Sequence, residues 1–213
     1  MIVGRILSLL GIENPAYLDI GANDPVVRNN TYFLYEKGCS GVNVEPDPFL
    51  FKKLKSKRRR DVNLNIGIGS GDEKLTFYVL SSKTLSTFSK ETALRYLNYG
   101  NQKIEKEITI EVSNVNLIIE KYFQSKPNYV SLDVEGLEME ILKSIDLGRR
   151  RPEIFCVETL TYTEDNTETK LVEIIEYMRS QDYIVQSDTY INTIFVDTSS
   201  WKNRGKKHFH PLQ

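Results

Sequence analysis

Histidine is nearly missing from this chain: the 213 residues contain two, His208 and His210, both close to the C-terminal end. That scarcity removes the commonest general base from the body of the protein unless the tail folds back over a site. Cysteine is as scarce. Cys39 and Cys156 are far apart and form no metal-type C-x-x-C pair, and free thiols are preferred to a disulfide between them. Two free, buried thiols in a reducing cytoplasm are expected instead. No apolar run is long enough to span a bilayer. The opening MIVGRILSLLGI carries Arg5 in its middle and lacks the charged lead-in of a signal peptide, so a short packing helix is expected. Charge of one sign is also lacking. A formal net charge of −1 gives no global pull toward nucleic acid or an anionic membrane. Finally, there is no G-x-G-x-x-G turn of the kind that cradles a dinucleotide pyrophosphate.

With 40% hydrophobic and 27% charged residues, the composition is that of an ordinary globular protein, and one domain over 1–213 is expected. Short apolar runs alternate with helix-length amphipathic segments. AYLDI (16–20), GVNVE (41–45), VNLNIGI (62–68), NYVSLD (128–133) and EIFCVET (153–159) read as strands. Helices are expected at about 30–38, with Asn or Thr to cap it, and at 46–55, 115–123, 137–145 and 169–180. LTFYVL (75–80) and ITIEVSNV (108–115) alternate with period two and read as an antiparallel excursion. The segment 81–112 is expected to be a substrate-side insertion and 198–213 a polar tail. YIVQS (183–187) and YINTIFVD (190–197), two residues apart, should pair antiparallel. The sum is an α/β fold with a mostly parallel sheet and one reversed strand near its edge.

In such a sheet, ligands bind at the carboxyl ends of the strands. Four strands end there in acids: Asp19-Ile-Gly21-Ala-Asn23-Asp24, Glu45-Pro-Asp47, Asp133-Val-Glu135-Gly136 and Glu158-Thr159. Each acid alone could be a helix cap or a solvated charge. Four at one edge need a ligand, a metal or solvent to balance them. Glu45, ending the strand after the Gly21 loop, is placed to accept both hydroxyls of a ribose. Acids where a pyrophosphate should sit argue against NAD and suit a nucleoside with a cationic or zwitterionic group, such as S-adenosylmethionine.

The ordered runs YLDIGAND, NTYFLYEKGCSGVNVEPDP, VSLDVEGLEMEILKSID with RPEIFCVET, and NTIFVD resemble the FkbM-type family of S-adenosylmethionine-dependent methyltransferases. The resemblance runs from about Tyr17 to Asp197. It implies a Rossmann-like class I methyltransferase sandwich, with seven strands, the last antiparallel, and helices on both faces. It also implies O-methylation of a sugar hydroxyl in a glycan or of a polyketide-type natural product. A binding module that keeps the nucleoside pocket without chemistry is the reading from another class. Carried over, Asp19, Gly21 and Asn23 match the loop holding the methionine part, Glu45 the ribose acid with Asp47 beside it, and Asn65, Ile66 and Gly67 the adenine contact. Asp133 matches the acid beside the methyl donor. Asp24-Pro25 departs from the family pattern, where glycine is common.

A sugar hydroxyl must lose its proton during transfer, and Asp133, Glu135 and Glu158 are the base candidates. The same three carboxylates are alternatively ligands for Mg²⁺ or another hard divalent cation. Tyr96 and Tyr99 could stack on a sugar ring, and Tyr190 and Asn192 could line the acceptor pocket. Glu138 and Glu140 read as solvated. The basic run KKLKSKRRR (52–60) reads as a solvated helix end rather than a phosphate-binding patch. No nucleic-acid partner is expected, because no aromatic platform or Asn-Pro-Pro-aromatic motif accompanies it. The acceptor's identity and the oligomeric state are not legible.

Overall fold

In the computed structural model, residues 2–69, 71, 73–99, 102–161 and 168–205 are described, the Tyr99 side chain excepted. The strands are β1 (Tyr17–Ile20), β2 (Gly41–Val44), β3 (Val62–Leu64), β4 (Gly67–Ile68), β5 (Glu73–Leu80), β6 (Ile104–Ser113), β7 (Tyr129–Leu132), β8 (Ile154–Glu158), β9 (Tyr183–Asp188) and β10 (Asn192–Asp197). The helices are α1 (Ile2–Leu9), α2 (Tyr32–Glu36), α3 (Pro48–Lys57), α4 (Lys90–Tyr99), α5 (Val115–Tyr122), α6 (Glu138–Ser144), α7 (Val172–Ser180) and α8 (Thr198–Lys202).

Seven strands form one sheet in the order β3-β2-β1-β7-β8-β10-β9. All neighbours pair in parallel except β10, which runs antiparallel to both β8 and β9. The reversed strand is thus second from the edge, as the 183–197 hairpin implies. β1 and β7, YLDI and YVSL, are buried at every position because helices cover both faces. On one face Leu18, Ile20, Val42, Val130 and Leu132 meet α5 and α6. On the other, α1 buries Val3, Ile6 and Leu7 against Tyr17 and Tyr129. Cys39 and Cys156 are free and buried. No helix among the described residues is long and apolar enough to cross a membrane.

The chain builds β1, β2 and β3 outward, then returns past β1 to start β7. The strand order therefore reverses between β1 and β7, which is where such sheets bind ligands. Here the two loops touch. Gly21 has φ +78°, and a Cβ on it would lie 1.7 Å from the Asp133 carbonyl oxygen. Only glycine permits both the turn and that approach.

Several expectations need correction. VNLNIGI is not one strand. The Asn65 amide donates to the carbonyls of Glu45 and Pro46, each at 2.9 Å, and turns the chain out of the main sheet after Leu64. Gly67–Ile68 then joins a second sheet in the order β4-β6-β5, whose antiparallel β5–β6 pair is the foreseen excursion. α7 begins at Val172 rather than at 169, because Lys170 bridges to Leu160. Thr31 does not cap α2; its hydroxyl is committed to Asp19 instead. Nor is Glu138 solvated. It is 3% exposed and accepts from the backbone N–H groups of Val134 (2.9 Å) and Gly136 (3.0 Å), fixing the loop after β7; Glu140 is exposed as expected.

The basic run is misread at one position as well. Arg58 is fully buried, and its guanidinium donates to Asp61 Oδ2 (2.8 Å), Tyr17 Oη (2.9 Å), Thr31 Oγ1 (3.0 Å), Asn29 Oδ1 (3.1 Å) and the Pro25 carbonyl (3.3 Å). α8 is capped by Asp197, and Trp201 packs with the α1 cluster, away from the carboxyl ends of the parallel strands. His208 and His210 lie outside the described residues.

Candidate active site

A cleft opens at the switch point between β1 and β7. Gly21, Asn23, Glu45, Gly67, Asp133 and Glu135, all sequence candidates, line it. Ile20, Val44 and Ile68 give it apolar walls, the usual character of a small-molecule site. The other candidates stand behind this lining. Asp19 is buried and accepts from Thr31 Oγ1 (2.8 Å) and Asn29 Nδ2 (3.2 Å), so it holds the loop that carries Asn23. Asp47 caps α3 by accepting from the N–H groups of Phe49 and Leu50. Asn65 ties down the Glu45–Pro46 backbone, while Ile66 packs into the core.

Glu45 bridges the two loops. Its Oε2 accepts from the Asn23 N–H at 2.7 Å and its Oε1 from the Asp47 N–H at 2.8 Å. Burial pushes its carboxyl up to about 8, against the pull of those two bonds. Each carboxylate oxygen keeps a second lone pair, so a hydroxyl pair can still be accepted. Asn23 adopts φ 52°, which asparagine tolerates better than most residues and which aims its N–H at Glu45.

At the β7 end, ligand oxygens of Asp133, Glu135 and Glu158 lie within 4.8 Å of one another. All three carboxyls are raised, chiefly by burial; repulsion from Glu138 adds to this at Asp133, and repulsion from Asp133 adds to it at Glu135 and at Glu158, which is raised most. Glu135 sits at φ 59°, a strained position held by the excursion. Tyr96 Oη donates to its Oε2 at 2.5 Å, and Thr87 Oγ1 donates to its carbonyl at 2.9 Å. Tyr96 is 3% exposed, so its hydroxyl serves Glu135 and its ring is no open stacking platform. Tyr190 is largely exposed, whereas Asn192 stands opposite Glu158 in the β8–β10 register. Asn192 Oδ1 and Arg95 Nε are buried without hydrogen-bond partners, and Arg95 acts on Glu135 through its charge.

The sequence reading sets a substrate-side insertion at 81–112 but names none of the residues that roof the cleft. Phe77, Lys83, Thr84, Ser86 and Phe88 of the excursion line the cleft, and Phe88 lies on the Gly67 backbone, where a Cβ would meet its ring at 2.5 Å. The spacing of 77–88 does not single out these side chains, because the contact crosses between two sheets.

Among curated proteins no relative matches this chain. Among solved structures, the methyltransferase FkbM of Methylobacillus flagellatus KT is 17% identical with a TM-score of 0.54, over 86% of this chain and 43% of that one. This chain thus spans less than half the length of that protein. Precorrin-6y C5,15-methyltransferase of Geobacter metallireducens GS-15 is 14% identical with a TM-score of 0.41, over 91% and 84%. The methyltransferase domain of METTL16 is 14% identical with a TM-score of 0.44, over 92% and 66%. The first likeness shows a shared fold; the two lower scores add nothing to it. Residues 19–185, spanning β1 to the beginning of β9 and every group of the cleft, match the Methyltransferase FkbM domain, and the chain belongs to the FkbM family of methyltransferases.

Proposed function

We propose that the protein is an S-adenosylmethionine-dependent O-methyltransferase acting on a hydroxyl of a sugar in a glycan or glycoconjugate precursor. The family supports the cofactor, and the donor set of the cleft fits it. Glu45 is the ribose acceptor, Gly21 admits close backbone approach, and Gly67 with Ile68 forms an apolar slot beside Glu45. When bound, S-adenosylmethionine supplies an electrophilic methyl group on a sulfonium that leaves readily.

The protein's own residues do the rest. The observation that carries the acceptor reading is the polar capacity gathered around the β7 end: three clustered carboxyls, of which Asp133 and Glu135 line the cleft, with Arg95 Nε and Asn192 Oδ1 buried unpartnered outside that lining. A polyol has the alternating donors and acceptors to satisfy such a set, whereas an apolar acceptor would leave it buried and unpaired. Asp133 is the least raised of the three, at about 6, and thus the best proton acceptor near neutrality. Tyr96 and Thr87 hold Glu135, so the excursion both roofs the cleft and orients one carboxyl. Alignment of an acceptor in line with the donor is worth up to roughly 7–11 kcal/mol in favourable cases, and a positioned base a further ~10²–10⁴-fold.

Calorimetry with S-adenosylmethionine and S-adenosylhomocysteine tests the cofactor. Glu45→Ala should weaken binding about 10- to 150-fold, the worth of charged hydrogen bonds. Wild-type affinity in that variant refutes the placement. Methyl transfer to a panel of mono- and oligosaccharides, read by mass and methyl NMR, tests the acceptor; methyl appearing only on nitrogen, carbon or a polyketide-type hydroxyl refutes the sugar reading. Activity is expected to survive EDTA. Its loss, restored by Mg²⁺, would reassign the three carboxylates from proton transfer to cation binding.

A further inference from the structure

Residues 48–60 hold seven of the chain's 28 basic residues and no acid, while the whole chain is near neutral. Burial of Arg58 takes one of them inside; Lys52, Lys53, Lys55, Lys57, Arg59 and Arg60 remain exposed. What the sequence does not reveal is the company they keep. The loop after β1 folds onto α3: Asp24 pairs with Lys53 at 3.6 Å, and the Pro25 carbonyl accepts from Arg58. Asp24 Oδ1 accepts from the N–H groups of Val26 and Val27, each at 3.0 Å, so its carboxylate turns inward and the loop tip outward. At that tip Val26 is 40% and Val27 66% exposed, and on α3 Phe49 is 58% exposed. Arg28 is exposed beside them at φ 55°. On α3, Phe49, Lys52 and Lys53 are exposed neighbours at i+3 and i+4, while Leu50 and Leu54 are buried. Lys53 lies 4.9 Å from the Phe49 ring centroid.

Three exposed apolar side chains ringed by cations thus form one surface. It flanks the cleft, since the β1 loop leaves it at Asn23 and α3 begins just past Pro46, both cleft-lining. We propose that this surface docks on an anionic lipid bilayer, with Val26, Val27 and Phe49 entering the headgroup region and the lysines and arginines facing its phosphates. Charge complementarity calls for an anionic occupant, since a neutral surface would leave this cationic rim unpaired, and apolar side chains set among cations are what an anionic headgroup layer over acyl chains takes. Apolar tips favour a bilayer over nucleic acid, whose backbone offers them nothing. Another exposed apolar pair, Tyr190 and Ile191, is not set in a basic run of this kind. Docking here would hold the cleft mouth at the membrane surface, within reach of a lipid-linked acceptor. That consequence rests on the sugar reading above; the docking itself does not.

The test is co-sedimentation of the full chain with vesicles of phosphatidylcholine alone and with phosphatidylglycerol added, at low and high salt. Binding is expected only with the anionic lipid, and it should fall as salt rises. Lys52→Gln and Lys53→Gln should each lower the partition about fivefold, the worth of one cation near such a surface. Val27→Asp with Phe49→Asp should abolish binding at unchanged S-adenosylmethionine affinity, which shows that the fold and the cleft survive. Equal binding to neutral vesicles, no binding to either, or indifference to these substitutions overturns the proposal. So does retention of duplex DNA or RNA through the same lysines without vesicle binding, which would assign the surface to nucleic acid. Loss of methyl transfer with vesicle binding intact would count against the proposed function alone.

Discussion

Removing the Arg58 side chain is the most searching test of how the loop after β1 is held. Arg58→Met keeps the volume and deletes five hydrogen bonds from a fully buried guanidinium. Asp61 loses its cation but keeps three kinds of donor: Tyr17 Oη at 2.7 Å, the Gly41 N–H at 3.0 Å and Asn43 Nδ2 at 2.9 Å. Breaking a buried pair on one side costs about 3–5 kcal/mol, and the surviving donors place this case near the lower end. For a chain of this size each kcal/mol shifts Tm by about 2–4 °C, so a fall of roughly 6–12 °C is expected by differential scanning calorimetry. The loop from Pro25 to Thr31 also loses three anchors, so the Kd for S-adenosylmethionine should rise more than the stability loss alone would require. Arg58→Lys should recover little, because an ammonium cannot reach five acceptors arranged for a planar fork. A Tm drop below about 1 kcal/mol equivalent, or full rescue by lysine, would refute the account of this network.

Three further outcomes are expected. Gly21→Ala should leave a folded protein of lowered Tm that fails to retain S-adenosylmethionine in equilibrium dialysis, since its Cβ would displace the Asp133 carbonyl. Tyr96→Phe removes a bond that lowers the Glu135 pKa, so the pH profile of kcat should shift while the KM for S-adenosylmethionine stays put. An unchanged profile would exclude Glu135 from the rate. Glu45 and Glu135 have folded-state values of about 8 against an ordinary 4.5. The stability they contribute is therefore complete below about 4.5 and lost as pH rises to about 8. Thermal melts of the ligand-free protein should show Tm falling across that window, and Glu45→Gln should flatten the curve.

The parallel sheet and the edge positions of Asp19, Glu45, Asp133 and Glu158 were readable because strand ends are local features of an apolar run. The reversed β10 was equally plain, since two residues between two strands leave no room for a parallel crossover. What stayed hidden depends on contacts between distant segments. Glu138 sits on a helix start where acids are commonly solvated, and only the loop folded over it makes it an internal acceptor. Arg58 is indistinguishable from its basic neighbours until the helix phase and the Asp61 contact are known. Tyr96 and Phe88 reach the site across a sheet-to-sheet contact that no periodicity encodes.

The loop between Gly21 and Thr31 has an anchored base and a bare tip. Arg58 grips the Pro25 carbonyl and the Asn29 side chain, Glu45 grips Asn23, and Val26, Val27 and Arg28 project beyond those clamps. The tip is therefore mechanically decoupled from the cleft. It is a place where residues can be exchanged, or extra ones spliced in, without retuning the pocket a few residues away. For an engineer this is a graft point for a fluorophore or an affinity tag that would report docking while leaving the floor of the cleft undisturbed. For a lineage, it is a segment free to explore new surfaces at constant chemistry.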